Sequence, residues 1–207
     1  MRNQKFDIDV ADAATDGLAT GLTGAGPWDT SDFTLVAPSD GLAHQLSISS
    51  TANIATLVFT ITGEDADGKA ITDTITGINN STVETTKYFS SWSALSVSAT
   101  LGANTVDVGW VDEVVTKTIP IDWISNTGAT LAVDVTGTIN YTTQQTFDDI
   151  QASATASQTA QWLSVSAGQT ADLVASAAVG ATAVRLVVNS YSSGAEAQLW
   201  VAQPVLA

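Results

Sequence analysis

Apolar and polar residues alternate along most of the chain, with the period of two that is typical of half-buried β-strands. The segment 54–62 carries apolar residues at Leu57, Phe59 and Ile61, and the residues between them fall on the opposite face. The segment 130–142 shows the same alternation over a longer span. No window combines an apolar period near 3.6 with capping residues, so helix is expected to be nearly absent. The pattern predicts an all-β protein.

Turn residues separate these segments at the spacing expected of short antiparallel strands. The sequence GEDADG at 63–68 is a predicted hairpin turn, because Asp and Gly accept positive φ at little cost. The stretch 150–160 fits either a loop or a weak helical turn. Further strands are predicted at 42–50, 69–77, 83–88, 92–100, 104–110, 113–118, 184–188 and 198–202.

A restart of the strand pattern near Pro120 divides the chain into two modules. Proline lacks the N–H that a central strand needs, so it marks an edge or a crossing point. We predict modules at 32–118 and 119–207, each a small antiparallel β-sandwich or jelly roll. Residues 1–31 are predicted to form an extended N-terminal arm before them, because Gly and small residues dominate this stretch without a sustained period.

The arm and the module junction hold the residues expected to contact other subunits. Trp28 and Trp123 are harder to place inside a sandwich than the other tryptophans, and aromatic residues are enriched where subunits meet. On this hypothesis, deletion of residues 1–30 abolishes docking and leaves both modules folded. The predicted contact residues are Arg2, Lys5, Phe6, Ile8, Trp28 and Trp123.

The chain is strongly acidic, with 21 Asp and Glu residues against 6 Lys and Arg and a net charge of -15. Such a field repels phosphate, so nucleic acid is not an expected partner. No apolar stretch approaches the roughly 20 residues that span a bilayer, so no membrane partner is expected. The chain has no cysteine, which excludes disulfides and thiolate zinc sites.

His44 is the one histidine and therefore the first side chain to weigh as a catalytic group. Asp40 and Ser47 lie near it in sequence, but no nucleophile elbow surrounds a serine, which favours an ordinary strand position. Asp148 and Asp149 are adjacent and point to opposite faces of a strand, so they do not suit paired-carboxylate chemistry. Neither an enzyme activity nor a cofactor is expected.

The same GEDADG turn brings three carboxylates close together in sequence, at Glu64, Asp65 and Asp67. A full calcium loop needs a longer set of ligands, with a late bidentate Glu and a helix on each side. Here Lys69 follows at once and both flanks are predicted strands, so an ordinary hairpin tip is favoured. A weak calcium site at these three residues is the alternative interpretation.

Three segments resemble a module of tailed-bacteriophage virion proteins. They are DGLAHQLSISS at 40–50, FTITGEDADGKAITDTITG at 59–77 and TTKYFSSWSALSVSATLGANTVDVGW at 85–110. The segments LAVDVTGTINYTTQQTFDD at 131–149 and AVRLVVNS at 183–190 are similar to the domain that often accompanies this module.

The resemblance implies a non-enzymatic virion protein. The leading expectation is a capsid decoration (cement) protein that binds the major capsid protein or other virion proteins, forms a homo-oligomer, with a trimer favoured, and stabilises the shell. Such a protein is located in the virion and assembles in the host cytoplasm. The alternative is a tail, collar or fibre component that binds a receptor or a glycan. The resemblance carries over no catalytic residues.

Overall fold

The computed structural model describes residues 2–33, 38–122, 124, 128–153 and 155–203, and within these ranges the protein is all-β, as predicted. One short helix, α1 (Ala156–Thr159), lies in the stretch that fitted either a loop or a helical turn. The strands are β1 (Arg2–Asp9), β2 (Ala14–Leu22), β3 (Trp28–Asp29), β4 (Ala43–Asn53), β5 (Val58–Glu64), β6 (Ala70–Thr76), β7 (Asn79–Phe89), β8 (Ser91–Val97), β9 (Val106–Val115), β10 (Ile119–Pro120), β11 (Thr130–Thr136), β12 (Ile139–Thr146), β13 (Leu163–Gln169), β14 (Leu173–Ser176), β15 (Ala183–Tyr191) and β16 (Glu196–Gln203).

The chain divides into two compact units that do not follow the predicted boundaries 1–31, 32–118 and 119–207. The continuous unit comprises Asp12–Asp112, and the discontinuous unit comprises Met1–Ala11 together with Glu113–Ala207. The stretch predicted as an N-terminal arm is thus divided between the two units. Its first part forms β1, and its second part contains β2 and β3.

The continuous unit contains an antiparallel sheet in the order β3-β8-β5-β6, together with the pairs β4–β7 and β2–β9. Phe59 and Ile61 are buried in its core, which confirms the alternation read from 54–62. Trp28 lies in the same core with 6% of its surface exposed, opposite Leu95 of β8. Trp28, which is predicted to be hard to place inside a sandwich, is therefore a core residue.

Glycines at the contact between β2 and β9 explain why β2 is a strand rather than part of an extended arm. A Cβ atom at Gly109 of β9 would collide with the carbonyl oxygen of Ala14, so only glycine allows the two backbones to approach this closely. Leu18 and Leu22 of β2 are buried in the core of the continuous unit. Within β2 itself, a Cβ atom at Gly17 would collide with the ring of Trp110, so this glycine of the predicted arm also permits close strand packing.

The discontinuous unit contains a four-stranded antiparallel sheet in the order β1-β16-β11-β14. Strand β12 lies between β13 and β15, and β10 also pairs with β15. Strand β1 runs along β16 from the pair Arg2–Gln203 to the pair Asp9–Glu196. The first residues of the chain are thus an edge strand of their own unit.

Two predicted strand boundaries are wrong. The segment 130–142 is not one strand, because β11 and β12 are separated at Gly137, which has a φ of 83° and packs beside Ala195. The two strands then pair with different partners, β11 with β14 and β16, and β12 with β13 and β15. Conversely, the strands predicted at 104–110 and 113–118 are the single strand β9.

Tyr141 of β12 is fully buried, and its hydroxyl donates a hydrogen bond of 2.7 Å to the carbonyl oxygen of Ala171. Burial raises the pKa of this hydroxyl to about 12 from its ordinary value of 10.0, and the nearby charge of Asp172 adds to the effect. The unfolded chain therefore releases this proton at a lower pH than the folded chain does.

Tyr141 gives the discontinuous unit an alkaline limit of stability. Because the folded-state pKa is raised, the contribution is fully present below pH 10 and is lost as the pH rises toward about 12. We expect the free energy of unfolding of the wild type to fall more steeply across this range than that of Tyr141→Phe, measured by urea denaturation. Equal slopes for wild type and Tyr141→Phe would contradict this assignment.

Candidate interaction surfaces

The structure buries His44 rather than presenting it to a substrate. The ring is 0% exposed, with Nε2 2.8 Å from Asp40 Oδ2 and Nδ1 3.2 Å from the carbonyl oxygen of Val111. The edge of the ring also packs against Trp110, with 6.4 Å between ring centroids. The hydroxyl of Ser47 donates to the carbonyl oxygen of Thr15, so it is not held by the imidazole. This arrangement ties strand β4 to its neighbours within the continuous unit.

The GEDADG turn uses its carboxylates to organise the hairpin between β5 and β6. Oδ1 of Asp65 accepts hydrogen bonds from the backbone N–H groups of Asp67, at 2.9 Å, and Lys69, at 3.0 Å. Glu64 accepts a bond from the Ser91 hydroxyl at 3.1 Å. Within the described ranges, no group of three or more His, Asp or Glu side chains could hold a metal ion. The geometry supports the hairpin interpretation, and the calcium site stays a prediction.

Asp73 of β6 is a buried carboxylate that the sequence analysis did not single out. Its Oδ2 accepts backbone N–H bonds from Thr86, at 2.7 Å, and Lys87, at 3.0 Å, and its Oδ1 accepts the N–H of Thr74 at 2.8 Å. The signal was present in the sequence, because Asp73 lies between Ile71 and Ile75 on the apolar face of its strand. A charge at such a position predicts a satisfied internal network.

The predicted contact residues of β1 lie on both faces of the strand. Ile8 is 2% exposed and belongs to the core, and Phe6 on the same face is half-buried. Lys5 lies on the outer face, with its Nζ 2.8 Å from Asp7 Oδ1 and 5.8 Å from the ring centroid of Trp200. Of these side chains, Lys5 is the one best placed to meet another molecule.

The remaining predicted contact residues have different positions. Arg2 is the first residue of β1, opposite Gln203 of β16. Trp28 is buried in the continuous unit, so its ring is not available to another chain while that unit is folded. Trp123 lies outside the described residues. The deletion of residues 1–30 does not test docking, because it removes core side chains from both units.

An uncharged region of the discontinuous unit presents apolar side chains to solvent. Between residues 150 and 184 the only charged residue is Asp172, although the whole chain carries a net charge of -15. Leu163 and Val179 are exposed, and Val174 is 76% exposed. Strand β14, which carries Val174, is the last strand of its sheet in the described part of the chain. Natural edge strands are usually protected by charge, proline or a covering element, and the sequence LVAS of β14 contains neither a charge nor a proline.

The outer face of the sheet β1-β16-β11-β14 carries a row of aligned side chains. The strand register places Lys5, Trp200, Ala132 and Val174 side by side across the sheet. Trp200 is half-buried and its neighbour Ala132 is small, so part of the indole ring faces solvent. The row continues the apolar surface of β14 toward β1.

A pocket of about 610 Å³ lies within the discontinuous unit. Its apolar wall includes Pro120, Ile121, Phe147 and Ile150, and its polar wall includes Asp122, Asp149, Gln151 and Thr182. Among the described residues, no lysine or arginine lines the pocket.

The titratable side chains singled out above are engaged within the fold. The histidine is enclosed, and the carboxylates of the GEDADG turn and of Asp73 accept hydrogen bonds within the fold. In the part of the chain that the structure describes, no helix has the length and apolar content needed to cross a bilayer. The remaining features of interest are the uncharged edge strand β14 and the pocket of the discontinuous unit.

No protein-family model and no curated protein matches the chain. Among solved structures, one similar chain belongs to the structure of infectious bursal disease virus Gx strain. It is 12% identical, with a TM-score of 0.21, over 96% of this chain and 70% of that chain. A TM-score of 0.21 lies well below the values found for chains that share a fold. The comparison therefore adds nothing to the surfaces described above.

Proposed function

We propose that this chain is a non-enzymatic virion structural protein that docks onto a capsid shell and stabilises it as a decoration protein. The observation that carries the proposal is the uncharged, apolar edge of the discontinuous unit in an otherwise acidic chain. Like-charged surfaces repel one another, so docking favours the one region where that repulsion is weakest. The resemblance of 40–110 to a phage virion module supplies the class of particle.

The proposed partners are the major capsid protein and further copies of this chain, with a homotrimer as the favoured assembly. Edge-strand pairing and buried apolar side chains provide the contacts, as in other interfaces formed by strand addition. The proposed location is the virion, assembled in the host cytoplasm. Nucleic acid and membrane are not among the proposed partners, because the net charge is unfavourable for both phosphate-rich surfaces.

A shell-binding assay tests the proposal directly. Empty shells assembled from a phage major capsid protein, the proposed partner, are mixed with purified protein and sedimented. We expect the wild type to co-sediment and Val174→Asp to lose at least about tenfold in affinity, because the substitution places a charge on the open edge at a desolvated contact. Val174 is exposed, so the variant is expected to fold normally.

The matched control is Ile78→Asp, which introduces the same charge at an exposed apolar residue of the continuous unit. It should bind shells like the wild type. Failure of the wild type to co-sediment, or equal binding by Val174→Asp, would count against docking through this edge. Light scattering of the free protein measures the predicted trimer.

The second candidate is a tail, collar or fibre component that binds a receptor or a glycan. The row across the outer sheet face favours it, since a partly exposed Trp200 beside small and polar residues is a surface on which a sugar ring can stack. A glycan array probed with wild type and Trp200→Ala separates the two functions. Binding that depends on Trp200, without shell binding, would favour this second candidate.

A further inference from the structure

We propose that the pocket of the discontinuous unit receives a cationic side chain, arginine or lysine, from a docking partner. The identity of the molecule that supplies this side chain depends on the proposed docking function. The affinity of the pocket for a cation does not depend on it. Its volume of about 610 Å³ falls in the range of pockets that hold small ligands, and it accommodates a long side chain together with its own backbone.

The charge of the pocket selects a cation. Asp122 and Asp149 line it, and no basic residue occurs in the sequence between Lys117 and Arg185. In this stretch of the chain the carboxylates therefore have no basic sequence neighbour to neutralise them. Because no described lysine or arginine lines the pocket, an incoming cation gains their attraction without displacing a basic side chain from the lining.

Each of the two carboxylates is held in position by one of its oxygens. Oδ1 of Asp122 accepts the backbone N–H of Ile124 at 3.0 Å, and Oδ1 of Asp149 accepts the backbone N–H of Gln151 at 3.0 Å. Within the described ranges, Oδ2 of each residue has no hydrogen-bond partner. Asp148 differs, because its Oδ2 accepts the N–H of Gln161 at 2.6 Å and it does not line the pocket. Asp122 and Asp149 are thus oriented acceptors, each with an oxygen available to a ligand.

The side chain of Gln203 holds the backbone at Asp122 from behind. Gln203 is 7% exposed, and its Oε1 accepts the N–H of Asp122 at 3.1 Å. This bond fixes the main chain from which the Asp122 carboxylate extends into the pocket.

The apolar wall selects the kind of cation. Phe147 is 46% exposed at the pocket, where Ile121 and Ile150 also lie. The methylene groups of arginine and lysine pack on such surfaces while the charged end reaches polar groups. A guanidinium group also stacks on an aromatic face, and this chain already shows that contact between Arg185 and Trp162 at 4.1 Å. A bare metal ion would leave the apolar wall unused.

Titration of the full chain with N-acetyl-argininamide, followed by NMR, tests the assignment. We expect saturable shifts confined to the pocket residues, with a dissociation constant of about 1 mM, as suits a single side chain on exposed carboxylates. N-acetyl-citrullinamide has nearly the same shape without the charge and should bind at least about fivefold more weakly.

Variants locate the site. Asp122→Asn and Asp149→Asn each keep the turn hydrogen bond through the amide oxygen, so the fold is expected to survive, and each should weaken binding of N-acetyl-argininamide about fivefold. Asp134→Asn removes the same charge from an exposed position on β11 and should change nothing. Equal binding of the citrulline compound, or an Asp134→Asn effect as large as that of Asp149→Asn, would overturn the proposal.

The titration with N-acetyl-argininamide and the shell-binding assay can give opposite results, so the two proposals are tested separately. Charge-dependent binding of the arginine compound supports the pocket even where no shell binding is found, in which case docking onto a capsid fails and the cation site stands. Shell binding by a protein that does not bind the arginine compound supports docking and refutes this inference.

Discussion

Asp73→Asn is expected to lower the free energy of unfolding of the continuous unit by about 3 kcal/mol. The carboxylate accepts three backbone N–H bonds, from Thr74, Thr86 and Lys87, and is further bonded to the Thr86 hydroxyl. An amide has only one acceptor atom, and its NH₂ group would face N–H donors. At least one of these N–H donors therefore loses its partner, and the contact of β6 with Thr86 and Lys87 of β7 weakens.

Urea denaturation followed through amide signals of the continuous unit measures this effect. Glu84→Gln is the matched control, because it removes a carboxylate from an exposed position on the neighbouring strand β7 and should change stability by less than about 0.5 kcal/mol. A change of that small size in Asp73→Asn would show that the network does not stabilise the unit.

Asp40→Asn is expected to cost about 2 kcal/mol, because it removes the charge from a hydrogen bond that is shielded from water. The Asp40 side chain is 5% exposed, and its Oδ2 lies 2.8 Å from Nε2 of the enclosed His44. The other carboxylate oxygen accepts the N–H of Leu42 at 3.0 Å, a bond that asparagine preserves. The loss therefore reports the contact with the imidazole rather than the local turn.

A double-mutant cycle isolates that contact. His44→Leu and Asp40→Asn are measured singly and together, with Glu84→Gln again as the control for charge removal. We expect the double variant to lose less stability than the sum of the single variants, with a coupling energy of about 1–3 kcal/mol. Additive losses would mean that the two side chains do not stabilise one another.

The alternation of residues predicts those parts of the fold in which each strand has one buried face. It places Phe59 and Ile61 in the core and Leu131 and Val133 on a buried face, as the structure has them. It does not identify β2, where close backbone approach depends on Gly109, a glycine on a distant strand. It also joins β11 to β12, because the turn at Gly137 does not interrupt the period of two.

The surfaces are harder to predict than the strands. The pocket is assembled from residues near 120, 150 and 180, and no local pattern indicates that these three stretches meet. The open edge at β14 has a signal in the sequence, namely the nearly complete lack of charge between 150 and 184, but its meaning depends on the pairing order of the sheet. Among the contacts predicted in the N-terminal segment, the apolar residues Ile8 and Trp28 fill cores instead.

The pairing of β1 with β16 constrains the order in which the protein folds during synthesis. All strands of the continuous unit are available once residue 112 has left the ribosome, whereas β1 must wait for Glu196–Gln203 before its edge partner exists. Closing so long a loop is slow, since contacts between distant residues form late. The nascent chain therefore carries β1 unpaired until Glu196–Gln203 has been synthesised, and an unpaired strand edge is prone to non-native contacts during that interval.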